Sequence, residues 1–370
     1  MKIGKLVLAN VIHRPIRALA SILAISLEVA MILLVIGIVR GIVNDNADRQ
    51  QGLGSDIIIR PANAPPLFYS TGSAVFPEAM AETLLQVEEV QAITPLLFLA
   101  QIRGSWLTIY GIDAPSFELV AGRLEYLKGQ GFSSPMAHEA IIDDLHAQSK
   151  GLEINDFFEL KGERFQIVGI FRNGIGGRVY LPIRILQKLM DKGGQASTFL
   201  VKVKDTAKVK GTVRHIRKLI PGITVNSMSD WVSLLRNGRP PVYDIFLRVV
   251  IGVAISIGSF ACFLSMYTTI TERTKEIGIF KSLGASKIYI VNLVLMEVLL
   301  LCLTGLVVGF FLTFIGQHII QITFPTQHLV ISFSWILRTV LFVLLSGIAG
   351  ALYPAIKAAH WDPIQAIAHH

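Results

Sequence analysis

The chain has 370 residues, 52% of them hydrophobic and only 16% charged, with a formal net charge of +8. Soluble domains carry about 25% charged residues, so an ordinary water-soluble globule is excluded, and the wealth of apolar residues excludes disorder. Residues 44–240 hold 22 of the 34 basic and 20 of the 26 acidic residues, so +6 of the net charge belongs to the remainder.

Taken in order, Lys2, Lys5, Arg14 and Arg17 precede a first apolar run, Ala18 to Val43, broken only by Glu28 and Arg40. The run is longer than the roughly 7–15 apolar residues of a signal peptide, and no small-x-small cleavage site follows, so it reads as a retained span. The next segment has ordinary mixed composition. Ser55 to Arg60 reads as a strand stopped by Pro61, and Pro77 to Val87 has helical spacing. Gln101 to Ile112 reads as a hairpin around Gly104-Ser105. His138, Glu139, Asp143, Asp144 and His146 lack the spacing of a zinc site; they read as a strand running into a helix that Asp143 caps. Phe157–Leu160 and Phe165–Phe171 flank Lys161-Gly162-Glu163-Arg164 as a second hairpin, and Gly174 to Gly177 reads as a turn, not a dinucleotide fingerprint. Leu181-Pro182 leads into a helix from Ile183 to Met190. Phe199 to Val203 is a strand, and Ala207 to Leu219 is a basic amphipathic helix whose charged face meets either solvent or anionic headgroups. The segment is therefore α+β, one domain with two lobes.

Two further apolar regions follow. Ile245 to Ile270 contains only Arg248; Ile288 to Tyr353 contains only Glu297 and Arg338 and is interrupted near Gln321 to His328. At about 20 residues per span, the chain is read as a membrane protein, α-helical with an α+β extracytoplasmic domain. Its four transmembrane helices are 18–43, 242–270, 288–320 and 332–356, with the large domain, 44–241, between helices 1 and 2. Residues 1–17, the loop 271–287 and the tail 357–370 carry the basic flanks, whereas the loop 321–331 has no Lys or Arg. The positive-inside rule therefore puts both termini and the 271–287 loop in the cytoplasm. Cys262 and Cys302 fall in apolar runs and the 44–241 segment has no cysteine, so no disulfide supports it. No Walker A sequence is found: in Gly278 to Ser286, Leu283 stands where the second glycine belongs and Ala285 replaces the lysine. The chain is not an enzyme on this reading; catalytic residues, a metal and a nucleic-acid partner are not expected.

The loop after the second span carries the sharpest pattern. Glu272 and Glu276 stand four apart beside Arg273, and Ile277, Phe280 and Leu283 stand three apart as a narrow apolar stripe. A short helix with one charged and one apolar face, held at a membrane surface, suits docking into the groove of a soluble partner. Gly284 is placed to end it as a cap.

Glu272-Arg273, Glu276-Ile277-Gly278, Lys281-Ser282 and Gly284-Ala285-Ser286 together resemble the coupling-helix motif of the FtsX/MacB-type ABC transporter permeases. His13 to Arg17, Glu139 to Leu160, Glu163 to Pro182 and the tail from Pro354 through Ala358, Asp362-Pro363-Ile364 and Ala366 are similar to other parts of that family. The resemblance implies a bacterial inner-membrane permease without a fused ATPase. It also implies a homodimer or a pseudo-dimer with a related permease, and a separate ABC ATPase that binds ATP and Mg and docks on Glu272, Arg273, Glu276, Ile277, Gly278, Phe280, Lys281 and Gly284. A periplasmic adaptor or binding protein is a further partner found in the family. The implied activity is export or extraction of a lipid, lipoprotein, peptide, haem or drug-like substrate by mechanotransmission to the periplasmic domain. The alternative is a signalling permease that transmits ATPase motion to an extracellular enzyme and moves no substrate.

Glu28 and Glu297 are costly within a bilayer and are candidates for function. At 1.5 Å per residue they lie about 15 and 14 Å from the inner ends of their helices, too deep for Arg248 or Arg338 to reach. Protonation, or a bond to a neighbour such as Ser26 or Asn292, is expected for at least one of them. The pairs Gly37/Gly41, Gly305/Gly309 and Ser346/Gly350 stand four apart and allow close helix contact.

Overall fold

The computed structural model describes residues 15–62, 64, 74–101, 107–237 and 241–361. In chain order the elements are α1 (Pro15–Gln51), β1 (Ile57–Pro61), β2 (Phe76–Pro77), α2 (Met80–Leu85), β3 (Val90–Gln101), β4 (Leu107–Ile112), α3 (Ala114–Ala121), β5 (Tyr126–Gly129), β6 (Glu139–Asp143) and α4 (Asp144–Lys150). They continue with β7 (Phe157–Leu160), β8 (Glu163–Phe171), β9 (Val179–Pro182), α5 (Ile183–Leu189), β10 (Gln195–Ala196), β11 (Thr198–Val203), α6 (Val209–Leu219), β12 (Ile223–Ser227) and α7 (Met228–Asn237). Last come α8 (Pro241–Glu272), α9 (Thr274–Ser282), α10 (Lys287–Thr323) and α11 (Phe333–His360). Four of these helices are long and apolar enough to cross a membrane, over Ala18–Gln51, Asp244–Glu272, Lys287–Thr323 and Phe333–His360.

The described residues divide into two compact units. One is built from the chain up to Arg40, Val242–Ile322 and Leu329 onward, the other from Gly41–Pro241 with Thr323–His328. In the helical unit, Ile25, Val29 and Leu33 of α1 meet Cys262 and Met266 of α8, Val298 and Leu306 of α10 and Val343 and Ala351 of α11 in one core. Small residues set how closely these helices approach. A Cβ on Gly305 would stand 2.7 Å from the Cβ of Ile25, and one on Gly309 would stand 2.6 Å from the Cβ of Val29, so both glycines of α10 seat α1. A Cβ on Gly350 would strike the carbonyl oxygen of Ser259 and stand 3.0 Å from the Cβ of Cys262. Gly37 is buried under Leu329 and Ile331, and Gly41 is also buried. The two cysteines, Cys262 and Cys302, are both buried and unbridged, beside Gly347.

The second unit carries a mixed sheet in the order β12-β1-β11-β3-β4-β9-β6-β8-β5, with β7 paired to β8; β2 and β10 form a separate pair. The pairs β4–β9 and β6–β8 are parallel and the other ladders antiparallel. The sheet is continuous, so the expected two lobes form one layer. Helices α3 and α7 cover one face through Phe117, Val120, Val232 and Leu235; α5 covers part of the other through Ile183, Ile185 and Leu186. Strand β1 runs one residue further than expected and includes Pro61, opposite Ile223. The helix expected over Pro77 to Val87 shortens to α2, because Phe76 and Pro77 pair with Ala196 and Gln195. Of the hairpin expected over Gln101 to Ile112, the second strand is β4; its antiparallel partner β3 runs back to Val90, which was not expected, and residues 102–106, with Gly104-Ser105, lie outside the described residues. Lys161 and Gly162, with φ of 52° and 88°, make the two-residue turn between β7 and β8, the left-handed pair that matches strand twist.

Two glycine substitutions test this packing. Gly350→Ala forces a backbone to move and is expected to destabilise the purified protein by about 1–3 kcal/mol. Gly211→Ala, on α6 with open space around it, is expected to stabilise by about 0.5–1 kcal/mol. Thermal melting of both variants in one detergent checks the opposite signs.

Candidate functional site

Helix α9 opens directly after α8. The two are separated by Arg273, whose backbone leaves the helical region and whose N–H still bonds the carbonyl of Thr269. The Arg273 side chain turns inward and is largely buried. Its Nε donates to Glu276 Oε2 at 2.8 Å and its Nη1 to Glu297 Oε2 at 3.4 Å. The intramembrane carboxylate of α10 is therefore met by a cation from the head of α9, a partner the sequence reading missed. Asn292 stands five residues, about 1.4 turns, before Glu297 on α10 and is exposed. At the other end, Lys281 Nζ donates to the carbonyls of Ala359, at 3.0 Å, and Trp361, which are the carbonyls left over where α11 ends. Gly284, with φ of +91°, turns the chain, and the Ala285 N–H reaches the Phe280 carbonyl, the closing bond of a Schellman cap.

The face α9 presents differs from the expected stripe. Ile277 and Phe280 pack into the chain's own core, and Gly278 is buried beside them. Leu283 is 80% exposed and Ile279 51% exposed. The reason is helical geometry. At 100° per residue, 277 and 280 lie 60° apart and 279 lies 160° from 277, whereas Leu283 stands past the helix as its C-cap residue. The outward face is Lys275, Glu276, Ile279, Ser282 and Leu283, all exposed, and Glu272 just ahead of it is exposed as well.

Glu28 lies on α1, 2% exposed. The Ser346 hydroxyl donates to its Oε2 at 3.3 Å, and its Oε1 is buried without a partner. Ser26 cannot serve, because it stands 200° around the helix and its hydroxyl donates back to the Leu23 carbonyl at 2.8 Å. Gly258 of α8 makes room for the carboxylate, since a Cβ there would overlap Oε2.

A second constellation, in the sheet unit, was not foreseen as a group. Asp143 is fully buried at the end of β6. It caps α4 by accepting the His146 N–H at 2.7 Å, as the sequence suggested. Its other oxygen accepts Arg49 Nη1 at 2.9 Å and Arg178 Nη1 at 3.0 Å. Arg178 also donates to Asp45 Oδ2 at 2.9 Å and to the Thr326 carbonyl at 3.0 Å. Arg49 donates to the carbonyls of Gly176 and Gly177, at 2.8 and 2.5 Å. The glycine-rich turn is thus a cradle for a guanidinium. Burial, reinforced by the charge of Arg49, holds the Arg178 pKa below its ordinary value, with Asp143 and Asp45 opposing. Burial also pushes His146 down to about 4. Among the described residues no group of three or more His, Cys, Asp and Glu side chains is arranged to hold a metal.

Comparison with known proteins follows these boundaries. Residues 248–363 match the FtsX-like permease C-terminal family and residues 18–219 match the MacB-like periplasmic core domain. The second match alone covers more than half of the chain. The chain belongs to the FtsX/MacB permease family. An uncharacterized ABC transporter permease, YknZ of Bacillus subtilis (strain 168), is 22% identical over 98% of each chain. The macrolide export ATP-binding/permease protein MacB of Mannheimia succiniciproducens (strain MBEL55E) is 23% identical over all of this chain, which spans 61% of that protein. The crystal structure of the extracellular domain of the ABC-type transporter YknZ from Gram-positive bacteria covers 46% of this chain at 15% identity, with a TM-score of 0.36. In this FtsX/MacB permease α9 is the segment that the coupling-helix resemblance singled out. The tail residues Asp362, Pro363, Ile364 and Ala366, and His13 and Arg14, lie outside the described residues.

Arg273→Met and Glu297→Met are each expected to lower the melting temperature, and the double variant less than their sum. A double-mutant cycle should return a coupling of about 1–2 kcal/mol. His146 gives a pH signature. Its folded pKa lies below the unfolded value of 6.5, so the unfolded state takes up the proton first. Stability is therefore expected to fall as pH drops from about 6.5 to 4, by roughly 2–3 kcal/mol, and His146→Gln should flatten that part of the profile.

Proposed function

We propose that the chain is the permease subunit of an ABC transporter, driven by an ATPase on a separate chain that docks on α9. ATP and Mg are bound by that partner, and the motion is passed to the extracytoplasmic unit, residues 44–241, to export or extract a lipid, lipoprotein, peptide, haem or drug-like substrate. The boundaries follow from this reading: 1–17, 271–287 and 357–370 are cytoplasmic, 321–331 is an outer loop, and the working form is a dimer of permeases, with an adaptor or binding protein as a further partner outside.

The observation that supports it is the way α9 is held. Its inner face is part of the helical core through Ile277, and its ends are tied through Arg273 to Glu297 and through Lys281 to the end of α11. A short helix fastened at three points moves with the helices it is fastened to. Its outer face offers two exposed apolar side chains, Ile279 and Leu283, between Lys275 and Glu276. Water-exposed apolar anchors rimmed by charge fit the groove of a soluble partner.

Leu283→Asp is chosen because it leaves the inner face of α9 untouched. Co-expression with the partner ABC ATPase, followed by affinity purification from detergent, should give at least tenfold less ATPase for Leu283→Asp and for Ile279→Asp than for the native chain. Undiminished recovery with both variants, at unchanged melting temperature, would remove α9 as the docking element.

A further inference from the structure

The sheet unit includes six residues that lie far from the rest of it in sequence. The chain leaves the helical unit after Ile322, in the last turn of α10, passes through Thr323–His328, and returns at Leu329 ahead of α11. The Gln327 N–H bonds the Phe324 carbonyl at 2.9 Å, so the segment is a turn. Among the described residues its polar links to the rest of the sheet unit both run to one cluster. His328 Nε2 stands 4.0 Å from Asp45 Oδ1, and Arg178 Nη2 donates to the Thr326 carbonyl at 3.0 Å. The first link is long and its His328 side chain is 52% exposed, and such pairs contribute little. The second is a charge-assisted bond from a guanidinium only 8% exposed, which makes it the stronger fastening.

Arg178 is a firm base for that bond. Its N–H donates to the Thr108 carbonyl at 3.0 Å, and its carbonyl accepts the Asp143 N–H at 2.9 Å. The fork of the side chain then divides. Nη1 donates to Asp143 Oδ2 at 3.0 Å, whereas Nη2 donates to Asp45 Oδ2, at 2.9 Å, and to Thr326. Three separate parts of the chain therefore meet on one planar group: the end of β6, the last turns of α1 and the turn between α10 and α11. Compensation of the Asp143 charge does not account for this arrangement. Arg49 and the His146 N–H already bond Asp143, and Nη2 is spent on other acceptors.

We infer that Arg178 is a positioning residue: its Nη2 holds the α10–α11 turn on the sheet unit, so that displacement of α10 and α11 is delivered to the junction of β6 and β9. The inference rests on the permease reading for the source of the displacement. Helix α9, the proposed docking element, is fastened to α10 through Glu297 and to the end of α11 through Lys281. Those are the two helices that the turn joins. A force on α9 thus has a route to the sheet besides α1, which runs unbroken from one unit into the other.

The test is hydrogen–deuterium exchange of the full chain in nanodiscs, read by mass spectrometry, which reports local opening. In Arg178→Gln the amides of Thr326, Gln327 and His328 should exchange at least tenfold faster than in the native chain, while those of β1 and β12, at the far edge of the sheet, keep their native rates. Arg178→Lys should behave in the same way, because an ammonium lacks the fork that spans these acceptors. Asp45→Asn removes the charge that aims Nη2 and leaves Asp143 bonded; it should speed the turn at least threefold, and it replaces Arg178→Gln should that variant not fold. Native rates in the turn of both variants, or equal acceleration of the turn and of β1 and β12, overturn the proposal. The complex with the partner ATPase, trapped with ATP and vanadate, then tests delivery. Trapping should change exchange at Ile141, Ile142, Val179 and Tyr180 at least threefold in the native chain and less than half as much in Arg178→Gln, at equal recovery of ATPase. A full-sized change in Arg178→Gln overturns delivery through Arg178. No change in the native chain denies delivery and counts against the permease reading, whereas the exchange of the turn decides the fastening by itself.

Discussion

Asp143 is the constraint on which the sheet unit depends. A carboxylate with no exposure to water is tolerated where its oxygens are paired and hydrogen-bonded. Here two guanidiniums bond one oxygen and a backbone N–H the other. The two arginines in turn need partners, and they find them in Asp45, the Thr326 carbonyl and the carbonyls of Gly176 and Gly177. The cluster therefore balances two cations against two carboxylates. It sits where β6 meets β9, a ladder of only two residue pairs, Ile141 with Tyr180 and Ile142 with Val179. That junction is flanked by the parallel ladders β4–β9 and β6–β8, so side-chain bonds reinforce the sheet where its own pairing is shortest. The left-handed Gly176 fits because a Cβ there would stand 2.5 Å from the Tyr180 hydroxyl oxygen.

The helical unit meets the same electrostatic problem with fewer groups. Glu297 is answered by Arg273 from the head of α9, which makes one ion pair both a compensation for a buried charge and a fastening for a surface helix. Glu28 is answered by the Ser346 hydroxyl alone among the bonds to its Oε2. Here the close approach of α8, through Gly258, and of α11, through Ser346, encloses the group instead of pairing it with a cation.

What could be read from the sequence was what is written locally. The four long helices follow from run length and absence of charge, the cap at Asp143 from a carboxylate three residues before the N–H it accepts, and the β7–β8 turn from Lys161-Gly162. Strand β3 was hidden by Pro95, which argues against an inner strand. Its ladder with β4 begins only at Leu96, so the missing N–H costs no bond on that side. The Arg49–Asp143 and Arg178–Asp143 bonds join residues 94 and 35 apart, a separation that no spacing rule spans. On α9, an i, i+3 pattern was taken for one stripe, and the end of the helix put Leu283 on the other side.

The cysteines offer a practical opening. The sequence has two, and both are enclosed between helices, Cys262 1% and Cys302 0% exposed. A thiol-reactive spin label or fluorophore applied to the folded chain should therefore meet almost no native background. A cysteine introduced at an exposed position such as Leu127 or Leu219 would report alone, and two would give a distance. Motions of the sheet unit during a catalytic cycle of the partner could then be followed by spectroscopy on an otherwise unaltered chain, without first building a cysteine-free background.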